Sequence, residues 1–317
     1  METSGSETNN ALLALSHSLR AAVERASPSI VAVYARPRVP TSGVLWRPGV
    51  IVSTNHTVKR DEEITVMMHD GRSASATLAG RDPGTDLAVL RLEGDDHTKT
   101  SGIAPAVDSA PLGVGHIVLA LGRAGEHGVS ASFGVVSAIG GAWRTWRGGE
   151  IDQLLRLDLA IYLGFSGGAL IDAEGRVLGI NTSGLARGAG VAIPAVTVNR
   201  VVDALLTQGR IKRGYLGIGM QPVALPEALR AQLGLPASQG LVVLSVEPEG
   251  PAGQAGVLIG DVLLALGDAP TKDTDDVQVL LGTKSVGQTI KALVMRGGTL
   301  CDLSIQIGER PDRGRRR

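Results

Sequence analysis

A serine set among glycines, Gly164-Phe165-Ser166-Gly167-Gly168, is the stretch of this 317-residue chain whose residue types could do covalent chemistry. Glycines permit positive φ and close backbone approach. A serine on such a turn stands clear as a nucleophile, with backbone N–H groups facing a developing oxyanion. The pentapeptide alone says little in a chain with 43 glycines, and it also fits the G-x-S-x-G turn of α/β-hydrolases. Chain order separates the alternatives. The six histidines, His17, His56, His69, His97, His116 and His127, all precede Ser166, which excludes the order serine, acid, histidine. With His56 as the histidine, an order of aspartate before histidine also fails, because the first aspartate, Asp61, follows it. Histidine, aspartate, serine remains.

Local pattern then selects His56 and Asp86. His56 ends the β-branched run Val50-Ile51-Val52-Ser53-Thr54-Asn55-His56. Asp86 opens Asp86-Leu87-Ala88-Val89-Leu90-Arg91-Leu92, just past the turn signal Asp82-Pro83-Gly84. The candidates therefore fall at strand ends, where a rigid scaffold holds loop-borne groups in register.

Three blocks, Thr54 to Val58, Asp82 to Leu92 and Gly164 to Leu170, resemble the HtrA/Deg family of trypsin-like serine proteases, with 30 residues from His56 to Asp86 and 80 from Asp86 to Ser166. Gly214-Tyr215-Leu216-Gly217-Ile218 resembles the start of that family's PDZ domain, and Val246 to Leu264 its segment of strand, short helix, Gly-Asp and strand. The resemblance runs from about residue 12 to 308. It implies a mainly β fold, a chymotrypsin-like double β-barrel followed by an α/β PDZ domain. The expected divisions are an N-terminal segment and helix at 1–28, a protease domain at 29–211, a PDZ domain at 212–309 and a basic disordered tail at 310–317.

In that reading Ser166 is the nucleophile, His56 its general base and then acid, and Asp86 the group that orients the imidazole. The N–H groups of Gly164 and Ser166 form the oxyanion hole. By resemblance, Ala160 is the base of the specificity pocket, and its small neutral side chain implies cleavage after Val, Ala or Ile. Thr182-Ser183-Gly184 matches the segment that pairs with substrate backbone, with a plain polar loop as the alternative. Tyr215, Leu216, Gly217 and Ile218 resemble a loop that captures peptide C-termini. The implied activity is ATP-independent cleavage of misfolded or unfolded polypeptides by a homo-oligomer, a trimer by resemblance. The alternative is a catalytically weak peptide-binding chaperone or scaffold. Two departures stand out: Phe165 where the family has Asn, and Tyr162-Leu163 where it commonly has Asn-Pro. A ring at 165 needs an apolar seat, and the loop either stays disordered until substrate binds or packs differently.

Composition agrees with a globular, two-domain chain: hydrophobic residues make up 43 % and charged residues 20 %. Basic and acidic residues number 31 each, so no whole-protein field favours nucleic acid or an acidic membrane. A single cysteine, Cys301, excludes an internal disulfide and reads as a core thiol. No cofactor is expected, because the glycine-rich stretches lack nucleotide-binding patterns and the histidines lack metal-ligand spacing. The polar first ten residues carry no targeting pattern and no stretch reaches membrane-span length. The expected location is therefore the cytoplasm, or the periplasm if a leader has been removed.

The positioning elements follow from periodicity. Leu12, Leu15, Leu19 and Val23 predict a helix stopped by Pro28, then a strand from Ser29 to Tyr34. Hairpins are predicted around His69 to Arg72 and around Ala173 to Gly175. Val198, Val201, Val202 and Leu205 mark a helix ended by Gly209. Strands at 240–246, 262–266 and 290–296 and a helix at 274–281, capped by Thr274 and Asp275, complete the C-terminal part.

Overall fold

A computed structural model describes residues 3–94, 104, 106, 112–125, 128–185, 190–282 and 285–310, with side chains from residue 10 onward. His97, His127 and residues 311–317 of the basic tail lie outside the described residues. The chain divides into two units, Met1–Ile211 and Lys212–Arg317.

The first unit opens with α1 (Thr3–Ala26) and a 3-10 turn at Ser27–Ser29. Six strands follow: β1 (Ile30–Tyr34), β2 (Thr41–Arg47), β3 (Val50–Thr54), β4 (Ile64–Met67), β5 (Ser73–Asp82) and β6 (Leu87–Leu92). They close an antiparallel barrel in the order β1-β2-β3-β6-β5-β4. Next come β7 (Ile117–Gly122), β8 (Ser130–Gly140), the ribbon β9 (Trp143–Arg144) and β10 (Glu150–Ile151), β11 (Leu154–Asp158), β12 (Ala169–Asp172), β13 (Val177–Thr182) and β14 (Gly190–Pro194). The long strands among them close a second barrel, β11-β14-β13-β12-β7-β8, and α2 (Ala195–Gln208) follows.

Unbroken apolar runs such as Val50-Ile51-Val52 arise because successive side chains on a strand serve different cores. Ile51, Ala88 and Leu90 point into the first barrel with Val31, Val33, Leu45 and Val66. Their neighbours Val50, Val52, Leu87 and Val89 face the other way, onto Leu119, Leu121, Ala169, Ile171, Ile180 and Ile193 of the second barrel. The second barrel has its own interior of Val118, Val136, Leu155, Leu157, Leu170, Leu178 and Ala192. Each fully buried aliphatic side chain contributes about 1.5–3 kcal/mol, so the seam between the barrels is itself a stabilised core. Helix α2 covers one end of it with Val198, Val201, Val202 and Leu205, and Gly209 ends that helix in the left-handed region at φ 71°.

Helix α1 runs from Thr3 to Ala26 and carries the four apolar positions Leu12, Leu15, Leu19 and Val23. Ala22 and Ala26 are buried in the seam, and the Arg25 Nε–H donates to the Glu174 carbonyl at 2.9 Å. With the last turns held, the polar residues before Leu12 contain no proline to stop propagation toward the N-terminus.

The second unit comprises β15 (Gly214–Tyr215), β16 (Ile218–Ala224), α3 (Glu227–Leu233), β17 (Gln239–Val246), α4 (Pro251–Gln254), β18 (Val262–Leu266), β19 (Ala269–Pro270), α5 (Thr274–Leu280), β20 (Thr289–Arg296), β21 (Thr299–Gln306) and β22 (Gly308–Glu309). Its sheet runs β16-β17-β18-β20-β21, with β16 at one edge. The cap of α5 is Asp273, not Thr274 or Asp275. Its carboxylate accepts the Asp275 and Asp276 N–H groups at 2.8 and 3.0 Å, and Asp276 returns a bond from the Asp273 N–H at 3.2 Å. Asp261 is buried and bonded twice by Arg296, at 2.8 and 2.7 Å. Those bonds hold its carboxyl below the ordinary carboxylate value against the upward push of burial. Cys301 is half-buried against this unit's core. Among the described residues no helix is long and apolar enough to cross a membrane.

Candidate active site

Thr54 of β3 pairs with Leu87 of β6, so the exit of one strand and the entry of the other are neighbours. This puts His56 and Asp86 side by side although 30 residues separate them. The Asn55 N–H donates to the Asp86 carbonyl at 2.9 Å. Asp82 fixes the turn before β6, accepting from the Gly84 N–H at 3.0 Å and the Thr85 hydroxyl at 2.7 Å. Asp86 itself has φ 61°, a left-handed conformation that a short polar side chain tolerates.

The Asp86 side chain is only 5 % exposed and accepts three hydrogen bonds. They come from His56 Nδ1 at 2.8 Å, the His56 backbone N–H at 2.9 Å and the Thr182 hydroxyl at 2.6 Å. Because an ionised carboxylate only accepts, Nδ1 must carry the proton, and Nε2 is left as the acceptor. The ring is thereby fixed both in orientation and in the tautomer a general base requires.

Ser166 sits before β12, whose Ala169 and Ile171 share the seam core with Val52 and Leu87. The first barrel grips its loop. The Thr41 hydroxyl donates to the Ser166 carbonyl at 2.6 Å, and Ser42 gives the Gly164 carbonyl both its N–H, at 3.0 Å, and its hydroxyl, at 2.6 Å. Ser53 in turn donates to the Ser42 carbonyl at 2.7 Å. On the other side, the Gly167 N–H donates to the Asn181 carbonyl at 2.9 Å, and the Asn181 N–H to the Gly168 carbonyl at 2.8 Å. Gly167 lies at φ 90°, and a β-carbon there would stand 2.1 Å from the Ser42 carbonyl oxygen, so glycine is required twice over.

Phe165 finds its apolar seat against Gly122, where a β-carbon would come within 2.7 Å of the ring, and meets the Tyr162 ring edge-on at 5.4 Å. The loop is thus packed around Phe165, which is 4 % exposed, while Tyr162 and Leu163 face solvent. Gly164 is left-handed at φ 91°. Among the described residues, the N–H groups of Gly164 and Ser166 donate to no protein acceptor, as groups reserved for an oxyanion would. Ala160 is exposed on the loop after β11.

Thr182, Ser183 and Gly184 lie against the triad. Thr182 bonds Asp86 rather than solvent. Ser166 Oγ is hydrogen-bonded to Ser183 Oγ at 3.1 Å and accepts the Ser183 N–H at 3.3 Å. Ser183 Oγ stands 3.5 Å from His56 Nε2. The serine, the imidazole and the carboxylate converge, with the Ser183 hydroxyl between Ser166 Oγ and the His56 ring. The gripping residues Thr41, Ser42 and Ser53 are not singled out by the sequence, since isolated hydroxyls within strands carry no spacing signal.

In the second unit, Leu216 and Gly217 form the link between β15 and β16, with Gly217 at φ 78°. Their carbonyls accept the Ala252 and Glu247 N–H groups, each at 2.8 Å, while among the described residues their own N–H groups donate to no protein acceptor. Tyr215 and Ile218 flank them as members of those two strands.

Residues 41–180 match the trypsin-like peptidase domain and residues 214–307 the PDZ domain. The solved structure of the HtrA-type protease AlgW with decapeptide superposes with a TM-score of 0.71 at 29 % identity, covering 93 % of this chain and 99 % of that one. The serine endoprotease DegS of Escherichia coli K12 is 32 % identical over 311 residues, which span 92 % of this chain and 85 % of DegS. The chain belongs to the HtrA-type serine endoprotease family. Another relative, a probable periplasmic serine endoprotease, DegP-like, of Rhizobium meliloti, is 35 % identical over 282 residues covering 87 % of this HtrA-type chain. The chain spans about half, 54 %, of that relative's length. The crystal structure of the serine endoprotease from Yersinia pestis gives a TM-score of 0.73 at 32 % identity, covering 92 % and 98 % of the two chains.

Proposed function

We propose that this HtrA-type chain is an ATP-independent serine endopeptidase acting on unfolded or misfolded polypeptides. The observation that carries the reading is the orienting bond of 2.8 Å from His56 Nδ1 to a buried Asp86, set beside a Ser166 loop whose Gly164 and Ser166 N–H groups lack protein acceptors among the described residues. When Ser166 turns toward His56, Nε2 takes its proton and Oγ attacks the scissile carbonyl carbon. Asp86 stabilises the imidazolium. The oxyanion accepts from the Gly164 and Ser166 N–H groups, each such donor lowering the barrier by about 3 kcal/mol. The imidazolium then protonates the leaving amine, and water activated by the same ring releases the acyl group.

Substrate backbone would lie along Thr182 to Gly184, and the small neutral Ala160 favours Val, Ala or Ile before the cut. Mapping the new C-termini of an unfolded protein digested by the wild type tests this. Termini dominated by those residues are expected, and a majority of Lys and Arg would contradict it. In the PDZ unit, the Leu216 and Gly217 N–H groups, without protein acceptors among the described residues and beside the edge strand β16, support capture of a peptide carboxylate, with Tyr215 and Ile218 completing the loop. Full-length Ser166→Ala protein should bind a peptide with a free C-terminus at least tenfold more tightly than its amide, as read by fluorescence anisotropy; equal affinities would remove this part.

Assembly into a homo-oligomer, a trimer by the family resemblance, belongs to the same proposal. The exposed Leu12, Leu13 and Leu15 of α1 support it. The DegP-like relatives carry the word periplasmic in their names, which favours the exported alternative over the cytoplasmic one. A second reading, a catalytically weak chaperone or scaffold, draws on one observation, that Ser166 Oγ bonds Ser183 instead of His56.

A further inference from the structure

We propose that the Ser183 hydroxyl is a latch that parks the nucleophile away from its base until substrate arrives. The proposal rests on the endopeptidase reading above and adds a positioning residue to it. Three contacts carry it. Ser166 Oγ and Ser183 Oγ are hydrogen-bonded at 3.1 Å, the Ser183 N–H donates to Ser166 Oγ at 3.3 Å, and Ser183 Oγ lies 3.5 Å from His56 Nε2.

Hydrogen direction follows from the far end of the chain. Asp86 accepts from Nδ1, so Nε2 has no proton and can only accept. The hydroxyl that faces Nε2 must therefore turn its hydrogen to the ring, and this Ser183 hydroxyl then accepts the Ser166 proton. Ser166 is left with its proton pointing at Ser183 and a lone pair occupied by the Ser183 N–H. While these two bonds hold, Ser166 cannot pass its proton to His56 Nε2 and become an alkoxide. Productive chemistry requires Ser166 to rotate out of both bonds, at the net cost of the hydrogen bonds it leaves.

The latch lies where substrate would open it. Ser183 is exposed, whereas Ser166 is 6 % exposed and Thr182 fully buried. A substrate strand laid along Thr182 to Gly184 engages the same stretch of backbone that holds Ser166. Ser166 is then released toward His56 while the carbonyl to be attacked is brought up. The latch therefore acts on the free enzyme and not on the substrate complex.

That distinction sets the test. Wild type, Ser183→Ala, Ser183→Thr and Ser166→Ala are treated with a fluorophosphonate probe, which forms a phosphorus–oxygen bond at the Ser166 oxygen as fluoride leaves and His56 accepts the hydroxyl proton. Loss of one neutral hydrogen bond predicts labelling of Ser183→Ala about 2- to 10-fold faster than wild type. On an unfolded substrate kcat/KM rises by the same factor while kcat stays level, because bound substrate has opened the latch in both proteins. Ser183→Thr, which keeps a hydroxyl, labels at the slow rate, a rescue that a merely structural role for position 183 would not produce. Equal or slower labelling of Ser183→Ala overturns the latch while wild-type turnover leaves the endopeptidase reading standing. Absence of labelling and turnover in wild type and both Ser183 variants overturns the endopeptidase reading and the latch together.

Discussion

Asparagine at position 86 lowers kcat about 10⁴-fold, as loss of the orienting carboxylate does in triad chemistry generally. Asp86 is the acceptor of three hydrogen bonds, from His56 Nδ1, the His56 N–H and the Thr182 hydroxyl. An amide offers one oxygen in place of two and turns an NH₂ toward one of those donors. The imidazole escapes the clash by moving its proton to Nε2, which then faces Ser166 as a donor and cannot take its hydrogen. The fold should survive, since the left-handed φ of 61° at this position is as accessible to Asn as to Asp. The expected result is a thermal midpoint near that of wild type with turnover almost gone, measured on an unfolded protein substrate. A variant within tenfold of wild type would show that His56 does not depend on Asp86 for its tautomer.

Alanine at position 184 is expected to cost about 10²-fold in kcat, because displacing a catalytic group by ~1 Å is enough for a loss of that size. Its backbone is not left-handed, so the requirement for glycine comes from space alone. A β-carbon would stand 2.6 Å from Asp86 Oδ2 and 2.8 Å from His56 Nδ1, inside the contact distance of the bond it overlies. Asp86 cannot yield without loosening the Thr182 bond, so the ring must move. The loss should appear in kcat more than in KM, since the methyl group acts on the triad from behind. Unchanged kcat in a folded Gly184→Ala protein would mean that the segment just after β13 relaxes and that its close approach to the pair is incidental.

Much of this site was legible in the sequence because it follows from strand ends. The β-branched run before His56 and the Asp-Pro-Gly turn before Asp86 announce two strands, and a glycine-flanked serine announces a tight loop. The partners of those residues were less visible. Thr182 matches a substrate-pairing segment, yet its hydroxyl bonds Asp86, a pairing across 96 positions that only the barrel register creates. Ser42 and Thr41 reach the Ser166 loop from more than 120 positions away, as products of how two barrels pack. The Asp273 cap was misjudged locally, by placing the capping side chains at Thr274 and Asp275, one and two positions late. Strands β16 and β21 escaped notice because Gly219 and Pro222 break the pattern of one, and the other faces solvent at most positions.

The most direct test of the triad is degradation of an unfolded casein-like substrate by wild type and by Ser166→Ala under the same conditions. Loss of the substrate with wild type alone is the predicted result. Persistence of the substrate with both proteins, with protection from aggregation and no cleavage, would contradict it and leave a binding protein. Equal loss with both would place the chemistry at some group other than Ser166.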